Sequence, residues 1–122
     1  MFRGMPTVLI VEGYRDLMDP LAEQLRRQNW QVVGAGSVTE AVRLAENDRV
    51  DVVLADERLS EGSGLALEDA FKLNDRLRST PIVYMTALAS PSVGRTLAGR
   101  RILAKPFTLD RALEVLESAV DQ

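Results

Sequence analysis

The segment Val50-Asp-Val-Val-Leu-Ala-Asp56 constrains the fold of this chain more than any other. Its apolar residues are too continuous for a strand wetted on one face, and they suit a strand buried on both faces of a parallel sheet. The run ends on a carboxylate and passes at once into the polar stretch Glu57-Arg58-Leu59-Ser60-Glu61-Gly62-Ser63-Gly64. Thr7-Val-Leu-Ile-Val-Glu12 repeats the pattern of buried strand followed by acid. In open α/β sheets ligands bind at the carboxyl ends of strands, so both acids stand where a site is expected. Taken alone, Asp56 could equally be a helix cap or a loop residue.

The rest of the chain alternates in the same rhythm. After Glu12, Gly13-Tyr14-Arg15 reads as a turn and Asp16 as the cap of a helix carrying Leu17, Met18, Leu21 and Leu25. Pro20 falls early in that helix, where a missing N–H is tolerated. Trp30–Ala35 reads as a second strand, and Ser37 or Thr39 caps a helix running to Asn47-Asp48. Gly64 opens a third helix through about Leu77, with apolar positions at 65, 67, 70, 71, 73 and 77. Pro81–Thr86 is the fourth strand, and Ser90-Pro91 starts a short helix containing Gly94. Arg101–Lys105 is the fifth strand, Pro106-Phe107 a turn, and Thr108 the cap of a last helix with Leu109, Leu113 and Leu116 in the core.

Five strands alternating with five helices predict one α/β domain over residues 1–122, with its core at about 7–121. Right-handed crossovers make it a doubly wound, five-stranded parallel sheet of order 2-1-3-4-5, a flavodoxin-like three-layer α/β/α fold. That order sets the ends of strands one and three side by side, bringing Glu12 to Asp56. Thr86 and Lys105 end the neighbouring strands and are expected to face the same crevice.

Composition removes whole classes of chemistry. The chain has no cysteine and no histidine, so it offers no disulfide, no thiolate or imidazole metal ligand and no histidine phospho-carrier. Its net charge of −3 gives no support to direct nucleic-acid binding. No apolar run reaches membrane-spanning length, and a cytoplasmic protein with no membrane contact is expected. Arg26-Arg27 and Arg100-Arg101 read as solvated element ends, and Trp30 as strand-edge packing.

The surviving groups form a coherent set. A carboxylate can accept a phosphoryl group, a lysine can pair with it and with phosphoryl oxygens, a threonine hydroxyl can bond another oxygen, and a second acid can help hold Mg²⁺.

On these residues the chain resembles the receiver domain of two-component response regulators. The resemblance runs from about Val8 to Val120 and rests on Glu12, on Asp56 with Gly64 after it, on Met85-Thr86-Ala87 and on Lys105-Pro106-Phe107. It implies Asp56 as phospho-acceptor, Thr86 as switch hydroxyl, Lys105 as the pairing lysine and a cis Lys105-Pro106 bond. It implies Mg²⁺ on Glu12, Asp56 and the backbone carbonyl of Arg58, with no other cofactor. Partners would be a histidine kinase or histidine phosphotransfer protein, and a downstream protein on the face made by the fourth helix, fifth strand and fifth helix, with a homodimer as a further option. The chain would not be an enzyme beyond self-catalysed phosphoryl transfer to and from Asp56.

Several positions depart from the family pattern. Gly13 stands where a second acid usually contacts the metal, so Mg²⁺ binding should be weak or absent. Ser60 replaces a proline and Ile102 an aromatic switch residue, and the segment from Thr86 to Lys105 is short. A guanidinium from Arg58 or Arg15 could instead supply positive charge over the site. Two alternatives remain open: a pseudo-receiver that binds proteins without phosphorylation, and a Toprim-like nucleotidyl-transfer domain. The second draws on Glu12-Gly-Tyr-Arg-Asp16, but has arginine at 58 where its second acid is needed and no use for Thr86 or Lys105.

Overall fold

A computed structural model describes residues 4–13, 15–59, 62–87 and 97–121, with the backbone alone at 15–17 and 62–64. The main sheet has five parallel strands: β1 (Thr7–Val11), β2 (Gln31–Ala35), β3 (Val52–Asp56), β6 (Ile82–Ala87) and β7 (Arg101–Lys105). Their order is β2-β1-β3-β6-β7, the arrangement expected from the alternating pattern. Four helices are described: α1 (Arg15–Arg27), α2 (Val38–Asn47), α3 (Gly64–Lys72) and α4 (Leu109–Val120). The helix expected after Ser90-Pro91 lies outside the described residues, as do Tyr14 and Ser60.

Alternation along the strands sorts the core into two layers. Val8 and Ile10 of β1, Val52 and Leu54 of β3, and Val83 and Met85 of β6 pack with Met18, Ala22 and Leu25 of α1 and Ala112, Leu116 and Ala119 of α4. Leu9, Val11, Val53 and Ala55 pack on the other side with Ala41 and Ala45 of α2 and Leu67 and Phe71 of α3. The strands need apolar residues at every position because helices cover both faces. Trp30 is buried in the first layer, just before β2. Leu116 is fully buried, while Leu109 and Leu113 are partly so.

Helix ends follow local chemistry. Ser37 caps α2 by accepting from the Glu40 amide at 3.1 Å, which decides for Ser37 over Thr39. Thr108 caps α4 as expected, accepting from the Arg111 amide. At the end of α1 the Trp30 amide reaches back to the Leu25 carbonyl and the Asn29 amide to that of Arg26, with Asn29 at φ 68°. This is a Schellman motif, with Trp30 and Leu25 in one core layer as its apolar contact.

Three expectations are corrected. Helix α1 begins at Arg15, so Asp16 lies inside it rather than capping it, and Pro20 is the sixth helical residue, beyond the first turn. Helix α3 stops at Lys72, and a series of turns carries the chain to β6; Leu77 is buried from those turns, whereas Leu73 is 89% exposed. Helical spacing predicted both as core, but the helix ends before Leu73, so the periodicity no longer governs its direction. The polar stretch after Asp56 also holds two short antiparallel strands, β4 (Arg58–Leu59) and β5 (Gly62–Ser63). Leu59 buries against the second layer and anchors that hairpin.

Candidate functional site

The site forms at the carboxyl ends of β1, β3, β6 and β7. Val11 pairs in register with Ala55, so Glu12 and Asp56 follow at the same level, while Asp56 pairs with Met85 and Ala87 with Lys105, which sets Lys105 two residues further along the sheet edge. Residues 8, 10 and 12 share one alternation, as do 52, 54 and 56, and 103 and 105. The same periodicity that buries Val8, Leu54 and Leu103 therefore directs Glu12, Asp56 and Lys105 to the α1/α4 side of the sheet edge.

There the Lys105 Nζ donates to Asp56 Oδ2 at 2.7 Å, across 49 residues of sequence. The Arg58 amide donates to Asp56 Oδ1 at 2.9 Å. Glu12 is buried and hydrogen-bonded to Asp56 as well. Burial by itself would raise the Asp56 carboxyl; the hydrogen bonds from Lys105, the Arg58 amide and Glu12, together with the Lys105 charge, outweigh it and hold the group below its ordinary value. The acid is thus kept as a carboxylate, the form a nucleophile requires. The Lys105-Pro106 peptide bond is cis, as the resemblance implied. Ile10, Met18, Leu21, Met85 and Phe107 wall a cavity of about 350 Å³ that Glu12 and Lys105 of the site also line.

Thr86 differs from expectation. It is 1% exposed, but its hydroxyl donates to Glu57 Oε1 and lies 3.3 Å from the carbonyl of Ala87, not on Asp56. Alternation explains the difference: Thr86 shares its side of β6 with Tyr84, whose hydroxyl reaches Glu68 of α3 at 3.2 Å. Glu57, one residue past Asp56, meets Thr86 there. Sequence reasoning placed Glu57 only in a polar loop; counting alternation beyond the strand end would have put it beside Thr86.

The metal-ligating acids are few. Among the described residues no three acidic side chains converge as a metal cluster. Gly13 is exposed, and a Cβ built there meets no atom within 4 Å. Glu12 and Asp56 are the two acids that come together there. The side chain of Arg58 is exposed, and that of Arg15 lies outside the described set.

A second polar cluster was not foreseen. Arg100, expected to be solvated, forms a two-pronged pair with Glu68, with its Nη2 2.9 Å from Oε2 and its Nε 3.0 Å from Oε1. Lys72 adds a 3.5 Å contact to Glu68. The Arg100 hydrogen bond chiefly lowers the Glu68 carboxyl, while burial and then Glu68 push the Tyr84 hydroxyl up. No spacing rule links Glu68 to a residue 32 positions away.

Comparison with known proteins gives one consistent result. Residues 8–117 match the model of the response regulator receiver domain. The transcriptional regulatory protein PdtaR of Mycobacterium tuberculosis is 33% identical over 119 residues, 94% of this chain and 57% of that protein. The polar-differentiation response regulator DivK of Brucella anthropi is 27% identical over 92% of this chain and 94% of its own length. The chain therefore spans little more than half of PdtaR but nearly all of DivK. Among solved structures, the receiver domain of the sensor histidine kinase PA1611 of Pseudomonas aeruginosa, with magnesium in its active-site cleft, superposes with a TM-score of 0.86 at 26% identity, covering 98% of this chain and 100% of that one. The chemotaxis regulator CheY4 of Vibrio cholerae, at 24% identity and a TM-score of 0.84 over 94% of this chain and 98% of its own, shares the fold. The Toprim reading loses its ground, because the matched family is another one.

Proposed function

Because this chain belongs to the response regulator receiver domain family, we propose that it is a phosphorelay receiver that accepts a phosphoryl group on Asp56. The donor is a phosphohistidine of a kinase or phosphotransfer protein, and the signal passes on through a partner protein. The observation that carries this reading is the 2.7 Å pair between Lys105 Nζ and Asp56 Oδ2 in a largely buried crevice. An Asp56 oxygen attacks phosphorus, the P–N bond to the donor imidazole breaks, and the imidazole nitrogen takes up a proton. The product is an acyl phosphate, which water returns to carboxylate and inorganic phosphate. Lys105 first pairs with the carboxylate and then with an oxygen of the transferred group. The chain turns over no separate substrate and in that sense is not an enzyme.

Glu12, Asp56 and the Arg58 carbonyl are the groups that would hold Mg²⁺, and the ion would neutralise charge on the transferring oxygens. Two acids and a carbonyl fit an ion that keeps half of its octahedral shell as water, so binding is weak. A pseudo-receiver is the second reading, favoured by Gly13 and by the engagement of Thr86 with Glu57.

Incubation with acetyl phosphate, with and without Mg²⁺, read by intact mass, separates the two. Addition of one phosphoryl group to the natural sequence and none to Asp56→Asn supports the receiver. No addition to either leaves the interaction module.

A further inference from the structure

We propose that Glu57 is a positioning residue for Thr86, withholding the threonine hydroxyl from Asp56 until the site carries a phosphoryl group. The inference rests on the phosphorelay reading above. The Thr86 hydroxyl has one proton to give. It donates to Glu57 Oε1, with the Ala87 carbonyl as a second acceptor at 3.3 Å. The backbone builds this arrangement. The Glu57 amide donates to the Met85 carbonyl at 3.1 Å, extending the β3–β6 ladder one residue past Asp56. That pins Glu57 beside the residue preceding Thr86, on the side of the sheet that Thr86 and Tyr84 share.

A carboxylate is a stronger acceptor than a neutral oxygen, so Glu57 holds the hydroxyl firmly. A phosphoryl group on Asp56 brings three oxygens and nearly two negative charges to the neighbouring residue. One proton cannot serve both anions. For Thr86 to bond the phosphoryl group, Glu57 must release it, and the new charge repels the half-buried Glu57 carboxylate towards solvent. The switch is then a competition between two anions for one hydroxyl, and Glu57 sets where it balances.

The test follows the rate of modification by acetyl phosphate, read by intact mass, in the whole chain. Glu57→Asp is the decisive variant, because it keeps the charge and shortens the reach. The expected result is a rate raised roughly three- to tenfold by Glu57→Asp and by Glu57→Ala, the scale of one hydrogen bond. Both effects should persist in a Thr86→Ser background, which keeps the hydroxyl, and vanish in Thr86→Val, which removes it. Proton–carbon NMR of Thr86 in the unmodified Glu57→Asp protein should show the methyl resonance displaced. Simple charge repulsion at Glu57 predicts instead that Glu57→Asp matches the natural rate and that Glu57→Ala acts equally in Thr86→Val. Either result overturns the inference and leaves the receiver reading intact. If the natural sequence gains no phosphoryl group, the receiver reading fails and the positioning role falls with it.

Discussion

Asp56 and Glu57 are chain neighbours whose carboxylates serve opposite sides of the sheet edge: Asp56 pairs with Lys105 at 2.7 Å, and Glu57 takes the hydroxyl of Thr86. One peptide unit thus separates the site's proposed nucleophile from a group that holds its threonine. The division comes from strand alternation carried one residue beyond β3.

Replacing Lys105 by Met removes the cation from a carboxylate that is only 13% exposed. The expected cost is about 1–3 kcal/mol, the penalty for leaving a largely buried charged acceptor without its partner. Urea unfolding at neutral pH reads it as a lower midpoint with an unchanged slope. An unaltered midpoint would mean that the Asp56–Lys105 pair contributes nothing to stability.

Gly13→Asp should tighten Mg²⁺ binding by roughly tenfold or more, since it supplies another anionic oxygen beside Glu12 and Asp56. The side chain enters open space, because a Cβ at Gly13 meets nothing within 4 Å. Titration calorimetry should show weak binding by the natural sequence and stronger binding by the variant. Equal affinities would remove Gly13 as the cause of a weak site.

Acid should destabilise the fold through two carboxyls in the same direction. Asp56 and Glu68 are both held below their ordinary values in the folded chain. Their contributions are complete above the unfolded values of about 4 and are lost as pH falls through the lower folded values, because the unfolded chain binds more protons in that window. Urea midpoints between pH 7 and about pH 2 should fall most steeply below pH 4. In Lys105→Met the fall should be shallower, since the main group lowering Asp56 is gone.

Glu68→Ala should cost about 1–3 kcal/mol, since it strips the buried Tyr84 hydroxyl and the Arg100 guanidinium of a shared acceptor. The cluster ties α3 to β6 and to the start of β7, far from the phosphoryl site. Acetyl phosphate should therefore still modify the folded variant. Thermal melting and intact mass on one preparation check both halves.

Legibility in the sequence depended on range. Buried strands announced themselves as apolar runs, and the acids at their ends were visible because each run stopped on one. The cap residues Ser37 and Thr108 were readable because a cap is decided within three or four residues. The start of α1 was misplaced at Asp16 because several residues there are equally suited to begin a helix. The β4–β5 hairpin was hidden because two-residue strands carry no periodic signal.

The sequence by itself determined the alternation of strand and helix, the sheet order and the meeting of Glu12, Asp56 and Lys105 at the sheet edge. Burial on two faces and right-handed crossovers leave few other arrangements. Only the tertiary structure decided that Thr86 bonds Glu57 rather than facing Asp56, and that Arg100 pairs with Glu68 instead of meeting solvent. Those contacts join residues 29 and 32 positions apart. Their partners are chosen by the register of neighbouring strands and by which polar groups the packed helices leave within reach, and no local pattern in the chain encodes that choice.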